Sequence, residues 1–320
     1  MKKRPSPFAM RLCGALLLDA AVAAATVGGV AAYLCFGNRT GNGLQIETAA
    51  ARQFSDRPWE AMHEGRLSDP ASETADAWHG PSCSVEISSH SSGEGTKHAL
   101  AWYVADVKVS DVRCIRTAFA GGRYGSQVRE ELEDIARREN AVVAVNGDFY
   151  GYQAGGLAIR NGVAYRNEPA DGDACVLFAD GELRAVPAGT DLRELARRGA
   201  WQAWTFGPSL LDENGKARPD KASKSKYLRR KHPRTAIGYY RPGHYCFVVV
   251  DGRREGYSEG ATLERLARIM EELGCRAAYN LDGGMSSSMV FRGATRSRPP
   301  DTEPREIQDA VMACELATEN

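Results

Sequence analysis

The chain lacks a net charge, because 41 Lys and Arg balance 41 Asp and Glu over 320 residues. A nucleic-acid-binding domain normally carries a basic surplus, so this balance argues against that class of partner. The eight cysteines include no Cys-x-x-Cys pair, which argues against a structural zinc site. Only six histidines occur, and we expect His232 and His244 to be incidental to function.

Charge is also scarce in residues 12–36, where Asp19 is the single charged residue. These 25 residues exceed the roughly 20 needed to span a bilayer and the ~7–15 of a cleaved signal core. Basic residues precede the run, which favours an N-terminus inside and the remainder outside. We therefore expect a cytoplasmic tail at residues 1–11 and a single-pass cell-membrane anchor at residues 12–36. The alternative is a signal peptide cleaved near Ala20–Ala25.

The exported part divides into a polar segment and a domain. Residues 37–82 are rich in Ala, Ser, Glu, Asp and Gly, which is typical of a linker or stalk. Residues 83–320 are expected to form one catalytic domain. An even number of exported cysteines permits disulfides, and buried free thiols are the equal alternative. The six are Cys83, Cys114, Cys175, Cys246, Cys275 and Cys314.

Strand patterns outnumber helix patterns in this domain. Asn161-Gly162 and Asp180-Gly181 each separate two short apolar runs, as in β-hairpins. Thr262 precedes an apolar stripe with helical spacing, and Asp191 precedes a shorter helix. A third helix is predicted after Ser126. The pattern predicts a mixed α/β (α+β), strand-rich single domain with mixed sheets, two motif-bearing halves and about three packing helices.

An Asn-x-Asp motif occurs twice, each time at the end of an apolar run. The two copies are Asn146-Gly147-Asp148 and Asn280-Leu281-Asp282. Asn-Gly and Asp-Gly pairs form turns, so two hairpin tips are the plain alternative. The repetition favours a site, because a carboxylate and an amide at the mouth of a buried strand can hold sugar hydroxyls and move protons.

Small residues follow the second motif. Gly283 and Gly284 would allow backbone N–H groups to converge on an anion, and Ser286 and Ser287 add hydroxyl donors. This stretch predicts a cradle for phosphate or for a developing oxyanion.

Arg234 begins an apolar strand, where a guanidinium can clamp a phosphate with two hydrogen bonds. The alternative is a surface ion pair. The basic run at residues 221–231 is interpreted as a solvated loop, with capture of an anionic substrate as the alternative.

From about Ser84 to Leu316, the sequence resembles the phosphodiester glycosidase family. That family includes the catalytic domain of the mannose-6-phosphate uncovering enzyme and exopolysaccharide-related bacterial proteins. The resemblance rests on four ordered motifs, which are Val145–Tyr150, Pro233–Gly238, Asp251–Arg253 with Ser258 and Gly260, and Asn280–Ser287. Met285 stands where the family commonly has glycine.

The resemblance implies a glycoside hydrolase that cleaves a sugar-1-phosphodiester at the anomeric carbon, similar to N-acetylglucosamine-1-phosphodiester alpha-N-acetylglucosaminidase. The expected partner is a phosphate-linked glycan of the envelope or an exopolysaccharide. Phosphate is a good leaving group, so the site mainly needs a phosphate clamp and a carboxylate.

We assign phosphate binding to Arg234 and the loop from Gly283 to Ser287, and acid–base or oxocarbenium-stabilising roles to Asp148 and Asp282. Asn146, Gly147 and Asn280 are assigned to substrate binding. Which aspartate is acid or base stays open, as does retention or inversion.

Two alternatives differ in chemistry. No cofactor is required by the scheme above, but the oxygen atoms of the two aspartates and two asparagines could instead bind Ca²⁺ or Mg²⁺. The chain could also be a non-catalytic wall-glycan binding or assembly protein.

Overall fold

The computed structural model describes residues 46–48, 67, 71–125, 127–153, 155–187, 189–218, 229–297 and 305–316. The predicted tail and membrane anchor, residues 1–36, lie outside these ranges, as does most of the basic run. Among the described residues, no helix has the length and apolar character needed to cross a membrane.

Strands dominate the described regular structure. The α-helices are α1 (Leu132–Arg138), α2 (Leu192–Arg197) and α3 (Leu263–Glu272). The strands are β1 (Ile46–Glu47), β2 (Ser72–Glu73), β3 (Ala77–His79), β4 (Cys83–Ser92), β5 (Leu100–Val109), β6 (Ile115–Phe119), β7 (Ala141–Asn146), β8 (Gly156–Arg160), β9 (Val163–Glu168), β10 (Asp173–Phe178), β11 (Leu183–Pro187), β12 (Ala200–Trp204), β13 (Arg234–Arg241), β14 (His244–Val250), β15 (Ala277–Asn280), β16 (Met289–Phe291), β17 (Ala294–Ser297) and β18 (Asp309–Cys314).

These strands form three sheets. Their orders are β1-β9-β8-β12-β10-β11, β15-β13-β14-β5-β4-β3-β2, and β17-β16-β7-β18-β6. Every described strand pair is antiparallel, so the prediction of mixed sheets is wrong. Tight turns such as Asn161-Gly162 join several neighbouring strands, and a tight turn can only return the chain in the opposite direction.

The largest apolar cluster lies where the three sheets meet. It takes alternate residues of the central strands, such as Ile237 and Tyr239 of β13 and Val249 of β14. The intervening residues, such as Ala236 and Val248, pack in a second cluster with α3. This two-residue period decides which side chains of β13 and β14 can reach a given face.

The two predicted helix caps among the described residues are confirmed. Thr262 accepts a hydrogen bond from the N–H of Arg265 at the start of α3, and Asp191 accepts one from Arg193 at the start of α2. Helix α1 begins at Leu132, and the cap predicted for it, Ser126, lies outside the described residues.

The sheets begin before the predicted domain boundary at residue 83. Strands β2 and β3 pair with each other, and β3 pairs with β4 through Trp78 and Val85. Strand β1 pairs with β9. These residues of the predicted linker therefore add strands to two sheets, because their backbone groups hydrogen-bond along the sheet edges.

All six cysteines expected to be exported are buried and occur as free thiols. Cys246 and Cys275 approach each other, with 3.6 Å between their Sγ atoms. Of the two alternatives, the structure shows buried thiols.

Candidate functional site

The two Asn-x-Asp motifs lie against each other, although β7 and β15 belong to different sheets. Asp282 donates its backbone N–H to the carbonyl of Gly147 over 3.1 Å. Asn146 donates Nδ2 to the carbonyl of Asp282 over 2.8 Å and accepts a hydrogen bond from Thr235 Oγ1 over 2.7 Å. The Asn146 amide thus joins two sheets and fixes the backbone of the second motif, a structural task in place of the predicted contact with sugar hydroxyls.

Asp148 follows β7 directly and is fully buried. Its Oδ1 accepts a hydrogen bond from Arg160 Nη2 over 2.8 Å, and its Oδ2 accepts one from the backbone N–H of Thr205 over 2.8 Å. Both carboxylate oxygens are therefore engaged inside the protein. A substrate could reach this carboxylate only by displacing a buried ion pair, which is costly.

Arg160 and Asp309 complete a buried ion triad that sequence reasoning missed. Arg160 Nε and Nη2 donate to Oδ2 of Asp309 over 3.1 and 2.8 Å. Burial raises the pKa of Asp309 above its usual range, with Arg160 opposing the rise and Asp148 adding to it. The sequence gives one weak signal for this triad, which is that Arg160 ends an apolar strand just before a hairpin turn. An arginine at such a position is ordinarily interpreted as solvated.

Gly147 is required by the same buried group. A Cβ at this position would lie 2.1 Å from Asp309 Oδ1, well inside contact distance. The Gly147 N–H also donates to the carbonyl of Asp309 over 2.8 Å. The residue therefore lets β18 approach the end of β7, a steric role in place of the predicted substrate contact.

Asp282 is the motif carboxylate that solvent can reach, since its side chain is half-buried. Burial raises the pKa of Asp282 above that of an ordinary aspartate. The Ser286 hydroxyl, the Gly283 N–H and the Arg305 guanidinium lower the pKa, and the Asp148 charge raises it further. A carboxyl with a raised pKa and partial access to solvent is suited to accept a proton from water or a substrate.

The Gly283–Ser287 loop does not present the predicted nest of free N–H groups. Gly283 donates its N–H to Asp282 Oδ1 over 2.8 Å, and Gly284 donates to the carbonyl of Pro233 over 2.9 Å. A Cβ at Gly283 would lie 2.8 Å from that carbonyl oxygen. The glycines therefore allow close packing on residue 233, and the part of the prediction that used their N–H groups for an anion is wrong.

The two serines of this loop are both buried. Ser286 hydrogen-bonds to the Asp282 carboxylate, as noted above. Ser287 is 5% exposed, and its Oγ has no partner among the described residues. The Ser287 hydroxyl is therefore a buried polar group without a hydrogen-bond partner among the described residues.

Arg234 is buried on the other face of its sheet. Its Nε donates to the carbonyl of Ala261 over 3.0 Å, and its Nη2 donates to the carbonyl of Arg230 over 2.8 Å. Side chains alternate along a strand, and the adjacent Thr235 is the residue that reaches Asn146. The expected position of the Arg234 guanidinium beside the two carboxylates is therefore not supported by its described hydrogen bonds, which fix the backbone before α3.

Two other guanidinium groups lie near the second motif. Arg253 is exposed, with a left-handed φ of 63°, and its Nη2 would lie 3.0 Å from a Cβ at Gly284. Arg305 is also exposed and lowers the pKa of Asp282. Arg253 belongs to one of the four motifs of the family resemblance, but the sequence does not indicate its role. Arg305 belongs to none of these motifs.

Asn280 is fully buried and does not face the site. Its Nδ2 donates to the carbonyl of Gly207 over 2.7 Å, on the side of the sheet that packs against α3. The Asn280 amide therefore lies on the opposite face of its sheet from Thr235, the residue that reaches Asn146. Among the described residues, no group of three or more His, Cys, Asp or Glu could hold a metal ion.

A Gly-x-Ser-x-Gly spacing occurs at Gly256–Gly260, the pattern of a hydrolase nucleophile. Its Ser258 is fully buried, donates Oγ to the carbonyl of Asp251 over 2.6 Å and accepts from the N–H of Ala101 over 3.0 Å. The hydroxyl therefore braces a loop and is closed to substrate. His244 pairs with Asp106 at the opposite end of β14, in agreement with an incidental role.

Comparison with known proteins identifies the family of this chain. The model of the phosphodiester glycosidase family matches residues 139–313, more than half of the chain, and so covers both motifs, Arg253 and Asp309. The chain belongs to the phosphodiester glycosidase family.

Individual relatives define the likeness further. The chain is 32% identical over 195 residues to the SPbeta prophage-derived uncharacterized protein YomE of Bacillus subtilis, covering 59% of this chain and 30% of that protein. It is 26% identical over 297 residues to N-acetylglucosamine-1-phosphodiester alpha-N-acetylglucosaminidase of Bos taurus, covering 82% of this chain and 52% of the relative. The chain thus spans about half or less of the length of these curated relatives.

The fold is shared with the catalytic domain of zebrafish N-acetylglucosamine-1-phosphodiester alpha-N-acetylglucosaminidase, solved in a form auto-inhibited by its pro-peptide. The TM-score is 0.60 at 20% identity, over 87% of this chain and 96% of that chain. The strand-rich architecture predicted from sequence is confirmed by this likeness.

Proposed function

We propose that this domain hydrolyses a sugar-1-phosphodiester, freeing the sugar and leaving a phosphomonoester. One observation carries the proposal: a half-buried carboxyl, Asp282, lies at the junction of both motifs, with the exposed Arg253 beside Gly284 and the charge of the exposed Arg305 lowering the Asp282 pKa. A proton acceptor next to positive charge suits a substrate that is neutral at the sugar and anionic at the leaving group. Membership of the family and the printed activity of the bovine relative support the same reaction.

The chemistry follows from the leaving group. Water attacks the anomeric carbon and gives a proton to Asp282, while the bond from that carbon to the phosphate oxygen breaks. The electron pair leaves with the phosphate, which is stable as an anion and needs little help from a general acid. The raised pKa of Asp282 makes it a better proton acceptor than an ordinary aspartate.

Phosphate binding is assigned to Arg253 and the Ser287 hydroxyl, with Arg305 adding charge. A guanidinium can donate two parallel hydrogen bonds to phosphate oxygens. Arg234 holds the backbone of residue 230 and Ala261, so we assign it a positioning role. Asp148 is likewise a positioning residue, because it fixes Arg160 and Thr205 beneath the motif junction.

The natural substrate is proposed to be envelope or exopolysaccharide material, because residues 12–36 of the sequence would anchor the protein in the cell membrane with the domain outside. Membrane fractionation combined with protease treatment of intact cells tests this topology. Recovery of the protein in the membrane fraction and digestion of the domain from outside are expected. A protein protected inside the cells would contradict the proposed location.

A fragment screen tests the activity. Purified protein is incubated with sugar-1-phosphodiesters and with wall or exopolysaccharide fragments, and released reducing sugar and phosphomonoester are measured. The Asp282→Asn protein is the control, and its full turnover would refute the assignment. Binding without product release would favour the wall-glycan binding alternative, and loss of turnover with a chelator would favour a Ca²⁺ or Mg²⁺ site.

A further inference from the structure

The half-buried ring of Phe149, the exposed ring of Tyr152 and two arginines form a cluster beside the first motif. Phe149 and Tyr152 stack with 4.2 Å between ring centres and an interplanar angle of 11°. The Arg305 guanidinium lies 5.3 Å from the Phe149 ring centre, and that of Arg129 lies 5.0 Å from the Tyr152 ring centre. Arg129 also donates a hydrogen bond to the Tyr152 hydroxyl. We call these four residues the arginine–aromatic ridge.

The ridge starts at the candidate site. Phe149 directly follows Asp148, and Gly147 is hydrogen-bonded to Asp282. Arg305, at the Phe149 end of the ridge, is close enough to lower the pKa of Asp282. Arg129 lies at the other end, beyond Tyr152. The ridge therefore leads from the candidate reaction centre along the surface.

The ridge has features that core packing alone does not explain. Phe149 has a left-handed φ of 58°, a strained conformation that is an outlier for a bulky side chain. Tyr152 is 59% exposed, so burial of its ring contributes little stability. Strain combined with exposed aromatic surface is typical of ligand-binding segments.

The arginines define the ligand chemistry. An arginine held against an aromatic ring keeps its N–H groups free to donate at the guanidinium edge, and its orientation is fixed before a ligand arrives. Fixed guanidinium groups bind phosphate with two hydrogen bonds each. A ridge with one arginine near the reaction centre and another farther out would bind a ligand with more than one anionic group.

We propose that the arginine–aromatic ridge is a second phosphate subsite, which selects polymeric substrates with repeating phosphodiesters over molecules with a single one. This inference rests on the proposed function, because the reaction centre supplies the first phosphate position. The substrate class is a phosphate-linked glycan in which a neighbouring phosphate binds along the ridge while Asp282 acts on the sugar of the first.

The test compares two synthetic substrates, a sugar-1-phosphodiester with one phosphate and its dimer with two. The measured quantity is kcat/KM for the dimer divided by kcat/KM for the monomer. We expect this ratio to exceed one in the natural protein and to fall at least about tenfold in the Arg129→Gln/Arg305→Gln double variant, which loses both guanidinium groups of the ridge. Arg197→Gln, an exposed arginine on α2, is the matched control and should leave the ratio unchanged.

Two further measurements separate this inference from the proposed function. Tyr152→Phe keeps the ring but removes the hydroxyl that accepts from Arg129, so the ratio should fall less than in the double variant. Dimer and monomer binding is also measured by calorimetry on the Asp282→Asn protein. An unchanged ratio, or equal affinity for both ligands, would overturn the ridge proposal. Absence of turnover of both substrates with tighter dimer binding would overturn only the hydrolase proposal.

Discussion

The two Asn-x-Asp motifs share a sequence pattern, but their carboxylates lie in different environments. In the first, the carboxylate of Asp148 is fully buried and both of its oxygens are hydrogen-bonded to Arg160 and Thr205. In the second, the carboxylate of Asp282 is half-buried and its nearest donors are the Gly283 N–H and the Ser286 hydroxyl. The same pattern thus provides a buried structural carboxylate in the first copy and a carboxylate that solvent can reach in the second.

The difference arises from what packs on each strand end. Strand β7 lies between β16 and β18 in its sheet, and the neighbouring sheet brings Arg160 over its end. Strand β15 is an edge strand, and beyond it the chain turns to the surface at Met285, which is 52% exposed. A repeated motif therefore indicates a shared location but does not imply a shared role.

The largest expected effect is a loss of activity when the carboxylate of the second motif is removed. Asp282→Asn should lower kcat/KM for a sugar-1-phosphodiester about 10²–10⁴-fold, the range for loss of a general acid or base. Its thermal midpoint should stay close to that of the natural protein, because the side chain is half-buried and the amide is isosteric. Released reducing sugar and a thermal melt measure the two quantities. A large fall in melting temperature would mean that Asp282 is structural like Asp148.

The second prediction is a loss of stability when the carboxylate of the first motif is removed. Asp148→Asn should lower the free energy of unfolding by about 3–5 kcal/mol, because Arg160 would lose one partner of a buried ion pair. Urea denaturation measures the change. Asp134→Asn is the control, since the exposed Asp134–Arg137 pair should contribute only about 0–1 kcal/mol. Equal effects of the two substitutions would contradict the structural role of Asp148.

A third carboxylate, Asp251, sharpens the comparison because it is buried and has no cation among its described hydrogen bonds. Its Oδ2 accepts from the Tyr257 hydroxyl, and burial raises the pKa of Asp251 to about 6. Between about pH 4 and 6 the unfolded chain ionises this group while the folded protein keeps the proton. Its contribution to stability is therefore greatest below about pH 4 and is lost as the pH rises to 6.

The substitution Asp251→Asn removes this titration. Relative to the natural protein, the variant should gain up to about 2–3 kcal/mol in stability between pH 4 and pH 8. Urea denaturation at both pH values measures the gain. A gap between the two proteins that does not change with pH would show that Asp251 keeps an ordinary pKa.

The smallest expected effect concerns the environment of Asp282. Ser286→Ala removes a hydroxyl that lowers the Asp282 pKa, so the acidic limb of the pH profile of kcat/KM should move to higher pH by up to about one unit. Ser288→Ala is the matched control, because the Ser288 hydroxyl donates to the carbonyl of Ser297. A shift toward lower pH would contradict the inferred hydrogen bond.

Local patterns made much of the fold predictable. Thr262 and Asp191 cap helices, and Asn161-Gly162 forms a turn, because each depends on neighbouring residues and backbone geometry alone. The meeting of the two motifs could also be anticipated from their repetition. By contrast, β2 and β3 are only two and three residues long, and only the pairing of β3 with β4 identifies them as part of a sheet.

The site was harder to predict because it depends on strand faces and on distant residues. Arg234 and Thr235 are adjacent in sequence, and only the register of β13 decides which one faces the motif junction. Arg305 reaches Asp282 from a segment with no motif, and Asp309 reaches Arg160 across 149 positions. No local pattern encodes such a contact, so these residues became visible only in three dimensions.

The place of β18 between β7 and β6 has a consequence for biosynthesis. Arg160 and Asp148 are made long before Asp309, so an emerging chain carries the first two without the group that completes the triad. The position between β7 and β6 in the third sheet also stays empty until residues 309–314 arrive. The ion triad beneath the motif junction can therefore form only after residue 309 has been synthesised.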